Sequence, residues 1–280
     1  MAVAVTVLAC IGASLVLIVG APLVLAHGRW RFRFPRLALA SWYTAFLGGI
    51  AAAALGLVNS MAAVAFSREA PSDPMGGWFA STVLVVVGWG GLVAVGGLVA
   101  LVTTRFEPLA ATDRALHQQM ALVAACHPST RVRGVDVTVV PFDRAFAMSI
   151  PAPSNRVLVT TALERALTAV EMAAVVEHER THLRQHHGVI AQLAQLNRAC
   201  TPGLAGARHL ERTTRMLVEL IADDAAARRL GAVHTANALV KMAHLAEDES
   251  LTLRARRLVD ASNRHAPSRR RSLLAVRMQG

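Results

Sequence analysis

The stretch VVEHERTHLRQHHG, residues 175–188, decides how this chain is read. It contains His178-Glu179-Arg180-Thr181-His182, an HExxH pattern. Residues four apart on a helix share a face, so both imidazoles can reach one cation while Glu179 lies beside them and can touch a water there. Thr168 and Glu171 form the S/T-x-x-E pattern that satisfies the free amides of a first helical turn. From 169 to 187 there is no Gly or Pro, which predicts one helix ended by Gly188 as its C′ residue. A hydrolytic zinc needs three protein ligands and an open position for water. With 11 His in the chain, chance alone produces an HExxH in roughly one to two such sequences per hundred. The surroundings must therefore supply the rest.

Glu219, in VELIADDAA, sits on a later predicted helix over 212–231, and Asp223 follows one turn on along the same face. Leu217, Val218, Leu220, Ile221 and Ala222 surround Glu219, and a carboxylate in that setting needs a compensating partner. Glu219 completes a His-His-Glu set, and Asp223 can accept the ring N–H of one ligating histidine. Asp224 is expected to be exposed. His186 and His187 are expected to cap the helix C-terminus, where the dipole favours a cation. His234, His244, Arg144 and Arg212 are candidates for stabilising an oxyanion, but no spacing singles one out. Cys10, Cys126 and Cys200 include no CxxC, which fits packing roles in a reducing compartment.

The rest of the chain points to a membrane. The hydrophobic fraction is 54% and the mean hydropathy +0.43, too high for an ordinary soluble domain. Stretches 2–28, 37–67 and 74–104 lack any Asp, Glu, Lys or Arg. Each exceeds the roughly 20 residues that cross a hydrocarbon core, so transmembrane helices are expected near 3–26, 39–66 and 80–103. The first lacks a basic leader and is read as a span rather than a cleaved signal. Arg29, Arg31, Arg33 and Arg36 place the first loop in the cytoplasm, hence the N-terminus outside and everything after the third span inside. Much of the formal charge of +11 is assigned to contact with anionic lipid or to plain solvation, and no nucleic-acid partner is expected.

This organisation predicts a membrane region over 1–104, a small α+β domain over 105–264 and a basic tail over 265–280. Within the domain, 109–125 has helical periodicity. In VRGVDVTVV, 132–140, Val135, Val137 and Val139 alternate as one face of a half-buried strand. Shorter strands are expected around 145–150 and 156–160, followed by a helix that starts at Thr161 with Glu164.

The segments NRVLVTTALERALTAVEMAAVV, VVEHERTHLRQHH and LVELIADDAA together resemble the membrane zinc peptidases of the beta-lactam-sensor type, the BlaR/MecR-like family, in its short actinobacterial form. More distantly they are similar to the HtpX and CAAX prenyl protease group. The likeness covers about 130–245. It implies a gluzincin-type endopeptidase with one zinc ion, ligands His178, His182 and Glu219, base Glu179, and Asp223 as outer support. In the HtpX-like group an Asn-Ala-Phe-like element lines the substrate. Here the place reads Arg144-Ala145-Phe146, so Ala145 and Phe146 remain candidate substrate contacts without the Asn side chain. The short outer loop has no S-x-x-K, which makes direct antibiotic sensing unexpected.

The resulting expectation is an integral membrane zinc endopeptidase acting at the cytoplasmic face on a protein or peptide, through cleavage of a repressor or through membrane-protein quality control. The alternative is an inactive membrane scaffold with a structural metal site. That alternative does not account for Glu179 beside the histidines or for the open fourth position.

Overall fold

The computed structural model describes residues 2–25, 28, 30–66 and 77–265. The expected tail, apart from His265, and the loop over 67–76 lie outside them. The chain divides into two compact units, 1–110 with 192–217, and 111–191 with 218–280.

In the first unit, α1 (Ala2–Leu15) passes through a π-helical turn at Val16–Gly20 into α2 (Ala21–Leu25), and α3 (Trp30–Arg33) leads to α4 (Pro35–Phe66). α1 packs along α4 at small residues. A Cβ on Gly56 would lie 3.1 Å from Cys10 Cβ, and one on Gly49 only 2.6 Å from Ile18 Cγ1. Side chains at these positions would push the helices apart, the familiar reason for glycine in closely packed apolar helices. Leu37, Leu47, Ile50, Leu55 and Val58 on α4 are exposed. Among the described residues one helix, over Pro35–Ala62, is long and apolar enough to cross a membrane. Of the three expected spans, one therefore meets that criterion among the described residues.

The third stretch differs in a second way. α5 (Gly77–Ala125) runs on past Arg105 as a single 49-residue helix with Pro108 inside it. The change in composition near Arg105 marks where charge begins, not where the helix ends.

The second unit is built on a four-stranded sheet, β1 (Ser129–Val132), β2 (Val135–Val140), β3 (Ala147–Ile150) and β4 (Arg156–Thr160), in the order β1-β2-β4-β3. β2 and β4 are parallel; the other pairs are antiparallel. β1 was not expected. It is separated from β2 by Arg133 and Gly134, both at positive φ, the two-residue geometry that suits a tight hairpin. β2 is also more buried than its alternation suggested. Val135 and Val137 join Val157 and Val159 in one cluster, while Val140, Leu158 and Ile150 pack with Ala124 of α5 in another. Thr138 is fully buried and Val139 half-buried, as expected of a strand covered on both faces.

Helices α6 (Thr161–Ala166), α7 (Ala169–Arg184), α8 (His187–Cys200), α9 (Ala205–Leu230), α10 (Ala232–Ala246) and α11 (Glu249–His265) follow. The expected α+β class therefore holds, as a mostly helical chain with a small sheet. α6 is capped by Thr160 rather than Thr161. Thr160 ends β4 in the extended conformation that a cap requires, and its hydroxyl oxygen accepts from Leu163 N–H. The capping box of α7 forms as expected, with Glu171 N–H donating to Thr168 and Thr168 N–H to Glu171. The helix stops at Arg184, earlier than expected. His186 takes the left-handed conformation at φ 50°, and Gly188 lies inside α8.

Candidate metal centre

α7 presents His178 and His182 one turn apart, and α9 presents Glu219 and Asp223 one turn apart. His178 Nε2 lies 3.4 Å and His182 Nε2 3.6 Å from the Glu219 carboxylate. The two Nε2 atoms are 3.1 Å from each other. His178, His182 and Glu219 form a group able to hold a metal ion, with one ligand atom from each within 4.8 Å of the others. Two imidazoles and one carboxylate suit zinc and leave a coordination position for substrate or water.

Asp223 is fully buried, and its Oδ1 is 3.0 Å from His178 Nδ1. That contact directs the Nδ1–H away from the group and leaves Nε2 free to ligate. The same carboxylate accepts two hydrogen bonds from Arg254 of α11, at 2.8 Å and 2.7 Å. Arg254 also places Nη1 2.9 Å from Glu219. Sequence reasoning did not find Arg254, although a buried carboxylate flanked by apolar residues calls for a cation. The remaining candidates for charge stabilisation, Arg144, Arg212, His234 and His244, are all exposed.

Asp224 is not exposed as expected. It is half-buried in an ion pair with Arg257 at 2.9 Å. His187 also departs from the expected capping role. It is buried, with Nδ1 3.1 Å from His182 Nδ1.

Glu179 accepts hydrogen bonds from the Ser149 side chain and backbone on β3. Burial pushes its carboxyl above the ordinary value, and Glu219 adds to this, while His178 opposes it. A carboxylate of raised basicity is what a general base at neutral pH requires. Burial favours a neutral His178, but hydrogen bonds and charge from Asp223 and Glu219 prevail and raise it to about 10. Burial and the neighbouring His178 cation lower His182 to about 4. Glu219 falls to about 2, because hydrogen bonding and charge from His178, with Arg254, outweigh burial.

A proton held this firmly on His178 must leave before a cation can bind there. At pH 7, zinc uptake should therefore release about one proton per chain, and affinity should weaken as pH falls. Calorimetry in two buffers of different ionisation enthalpy reads this directly, and equal heats in both would contradict it.

The base of the site is clamped by a second ionic cluster. Glu177 is 2% exposed, with Arg180 of its own helix and Arg229 of α9 each 3.2 Å away. It thus joins the two helices that present the metal group. Glu177→Ala should lower unfolding stability by about 1–3 kcal/mol while leaving metal stoichiometry unchanged. An unaltered thermal transition would show that the clamp contributes nothing.

Ala145 packs on the cluster that contains Val137, and Phe146 on the one that contains Leu158, with its ring 5.8 Å from Phe142. The Phe146 N–H donates to the Thr160 hydroxyl, and its C=O accepts from Thr160 N–H. The polar backbone groups of Phe146 are therefore already paired. β3 itself is an edge of the described sheet, next to Glu179.

No curated protein and no solved structure matches the chain. Residues 110–246, a stretch that contains every residue of the metal group, match the family model Peptidase family M48, which supports a metallopeptidase as the class of this domain.

Proposed function

We propose that the chain is an integral membrane zinc endopeptidase that hydrolyses peptide bonds at the cytoplasmic face. The observation that carries the reading is Glu179, held by Ser149 beside a His178–His182–Glu219 group with three ligands. A structural site is usually closed by a fourth protein ligand and has no use for an adjacent base.

A metal ion held by His178, His182 and Glu219 would polarise the scissile carbonyl and acidify water. Glu179 takes a proton from the attacking water and returns it to the leaving amine. Asp223 holds His178 in the ligating tautomer, and Arg254 balances the charge of Asp223 and Glu219. A peptide can pair with the edge of β3 through its backbone, which orients it without requiring a particular sequence. Because Phe146 is already paired to β4, this docking uses residues after it.

Membrane placement is supported by the charge-free stretches, by the exposed apolar side chains of α4, and by the arginines of the first loop. Three spans, an outside N-terminus and a cytoplasmic site follow from the same rules. A repressor and misfolded membrane proteins are the two substrate classes that fit such a location, and lipid headgroups are the partner for the basic segments.

The test is digestion of an unfolded protein by the detergent-purified chain. Cleavage should stop on addition of a zinc chelator and return with added zinc. Cleavage that is indifferent to the chelator, or none by zinc-loaded protein, would sink the proposal.

A further inference from the structure

Each candidate histidine ligand has a partner behind it, but the two partners differ. His178 Nδ1 faces a carboxylate, whereas His182 Nδ1 faces the ring of His187 at 3.1 Å. His187 is 2% exposed, and its ring stands edge-on to that of His182, with centroids 4.8 Å apart and planes at 88°. Its other nitrogen, Nε2, is 3.4 Å from Gln185 Oε1. This arrangement depends on His186, whose left-handed conformation ends α7 and starts α8 at His187.

We infer that His187 is a positioning residue for His182: it accepts the Nδ1–H of His182 and so fixes the tautomer whose Nε2 faces Glu219. The proton placement follows from counting. If His182 ligates through Nε2, its proton must reside on Nδ1. The nitrogen facing it, His187 Nδ1, must then be an acceptor, which puts the His187 proton on Nε2. That proton meets the side-chain carbonyl of Gln185, a pure acceptor. Only one polarity of the chain His182 to His187 to Gln185 is compatible with ligation, and every donor along it finds an acceptor. Orienting partners of this kind typically change metal affinity 10- to 100-fold when removed.

The inference rests on the reading of His178, His182 and Glu219 as metal ligands, and the experiment separates the two. Zinc affinity is measured by chelator competition for the wild-type chain, His187→Leu and His187→Asn. Asn places an amide oxygen close to where Nδ1 stood, so it can accept the same proton. Wild type should bind one zinc, His187→Leu should bind roughly 10- to 100-fold more weakly, and His187→Asn should recover most of that loss. Equal binding by wild type and Leu, or an Asn variant as weak as Leu, overturns the role of His187 and leaves the ligand set standing. No zinc on wild type overturns both.

A wild-type measurement covers the case in which His187→Leu does not fold. Nitrogen NMR of labelled histidines in the zinc-loaded chain, with the His187 signal assigned by its loss in His187→Asn, should show the proton of His187 on Nε2 and that of His182 on Nδ1. A proton on His187 Nδ1 would overturn the inference.

Discussion

Glu179→Gln is expected to lower peptide hydrolysis about 10³-fold while the metal stays bound. The two side chains have nearly the same shape, and the amide oxygen can still accept from Ser149. An amide cannot take a proton from water, so the reaction loses its base while His178, His182 and Glu219 remain in place. Burial raises the Glu179 carboxyl, and its hydrogen bonds from Ser149 orient it. As pH falls through that raised value, hydrolysis by wild type should decline, because the protonated acid cannot act as the base. The check is kcat/KM on an unfolded protein substrate, with metal content determined on the same preparations. An active Glu179→Gln would move the proton transfer to another group.

The second large effect is expected at Asp223. Its buried carboxylate is shared by His178 at 3.0 Å and by two nitrogens of Arg254 at 2.8 Å and 2.7 Å. Asp223→Ala leaves a largely buried guanidinium with half of its partners gone and lets the His178 ring turn. Breaking a buried ionic network from one side costs on the order of 3–5 kcal/mol. Loss of the orienting contact should weaken metal binding about 10- to 100-fold. Asp223→Asn keeps an oxygen for the His178 Nδ1–H and should retain more of the affinity than of the stability, since Arg254 loses its counter-charge. Chemical unfolding and chelator competition on the two variants separate these contributions. Full stability and full affinity in Asp223→Ala would remove it from the account.

The acid limb of stability follows from the same residues. The folded-state values of Glu219 and Asp223 lie below their unfolded ones, so their contribution is present above about pH 4.5 and is lost as pH falls through the folded values.

The candidate metal group was legible in the sequence because its geometry is local. His178 with His182, and Glu219 with Asp223, are each fixed by one helical turn, and the Thr168–Glu171 box marks where the first helix begins. What remained was to bring two helices together, and the apolar residues around Glu219 already demanded a partner. Arg254 and His187 were not legible in these roles, since each acts across a tertiary contact with no fixed spacing. Arg254 reaches Asp223 from 31 residues away, and His187 reaches His182 only because His186 adopts a backbone conformation that favours Gly. The end of α7 was misplaced for the same reason: Gly188 suggested a stop that His186 supplies. Arg105 misled in another way, since charge begins there while the hydrogen-bonded helix continues to Ala125. In β2, strict alternation pointed to one buried face, but the helices on both sides of the sheet bury Thr138 and Val140 as well.

The most direct measurement is elemental analysis of the detergent-purified chain beside His178→Ala and Glu179→Gln. About one zinc per chain in wild type, lost in His178→Ala and kept in Glu179→Gln, is the predicted result. Absence of metal from carefully handled wild type, or zinc that survives in His178→Ala, would contradict the assignment of this group as the catalytic metal centre.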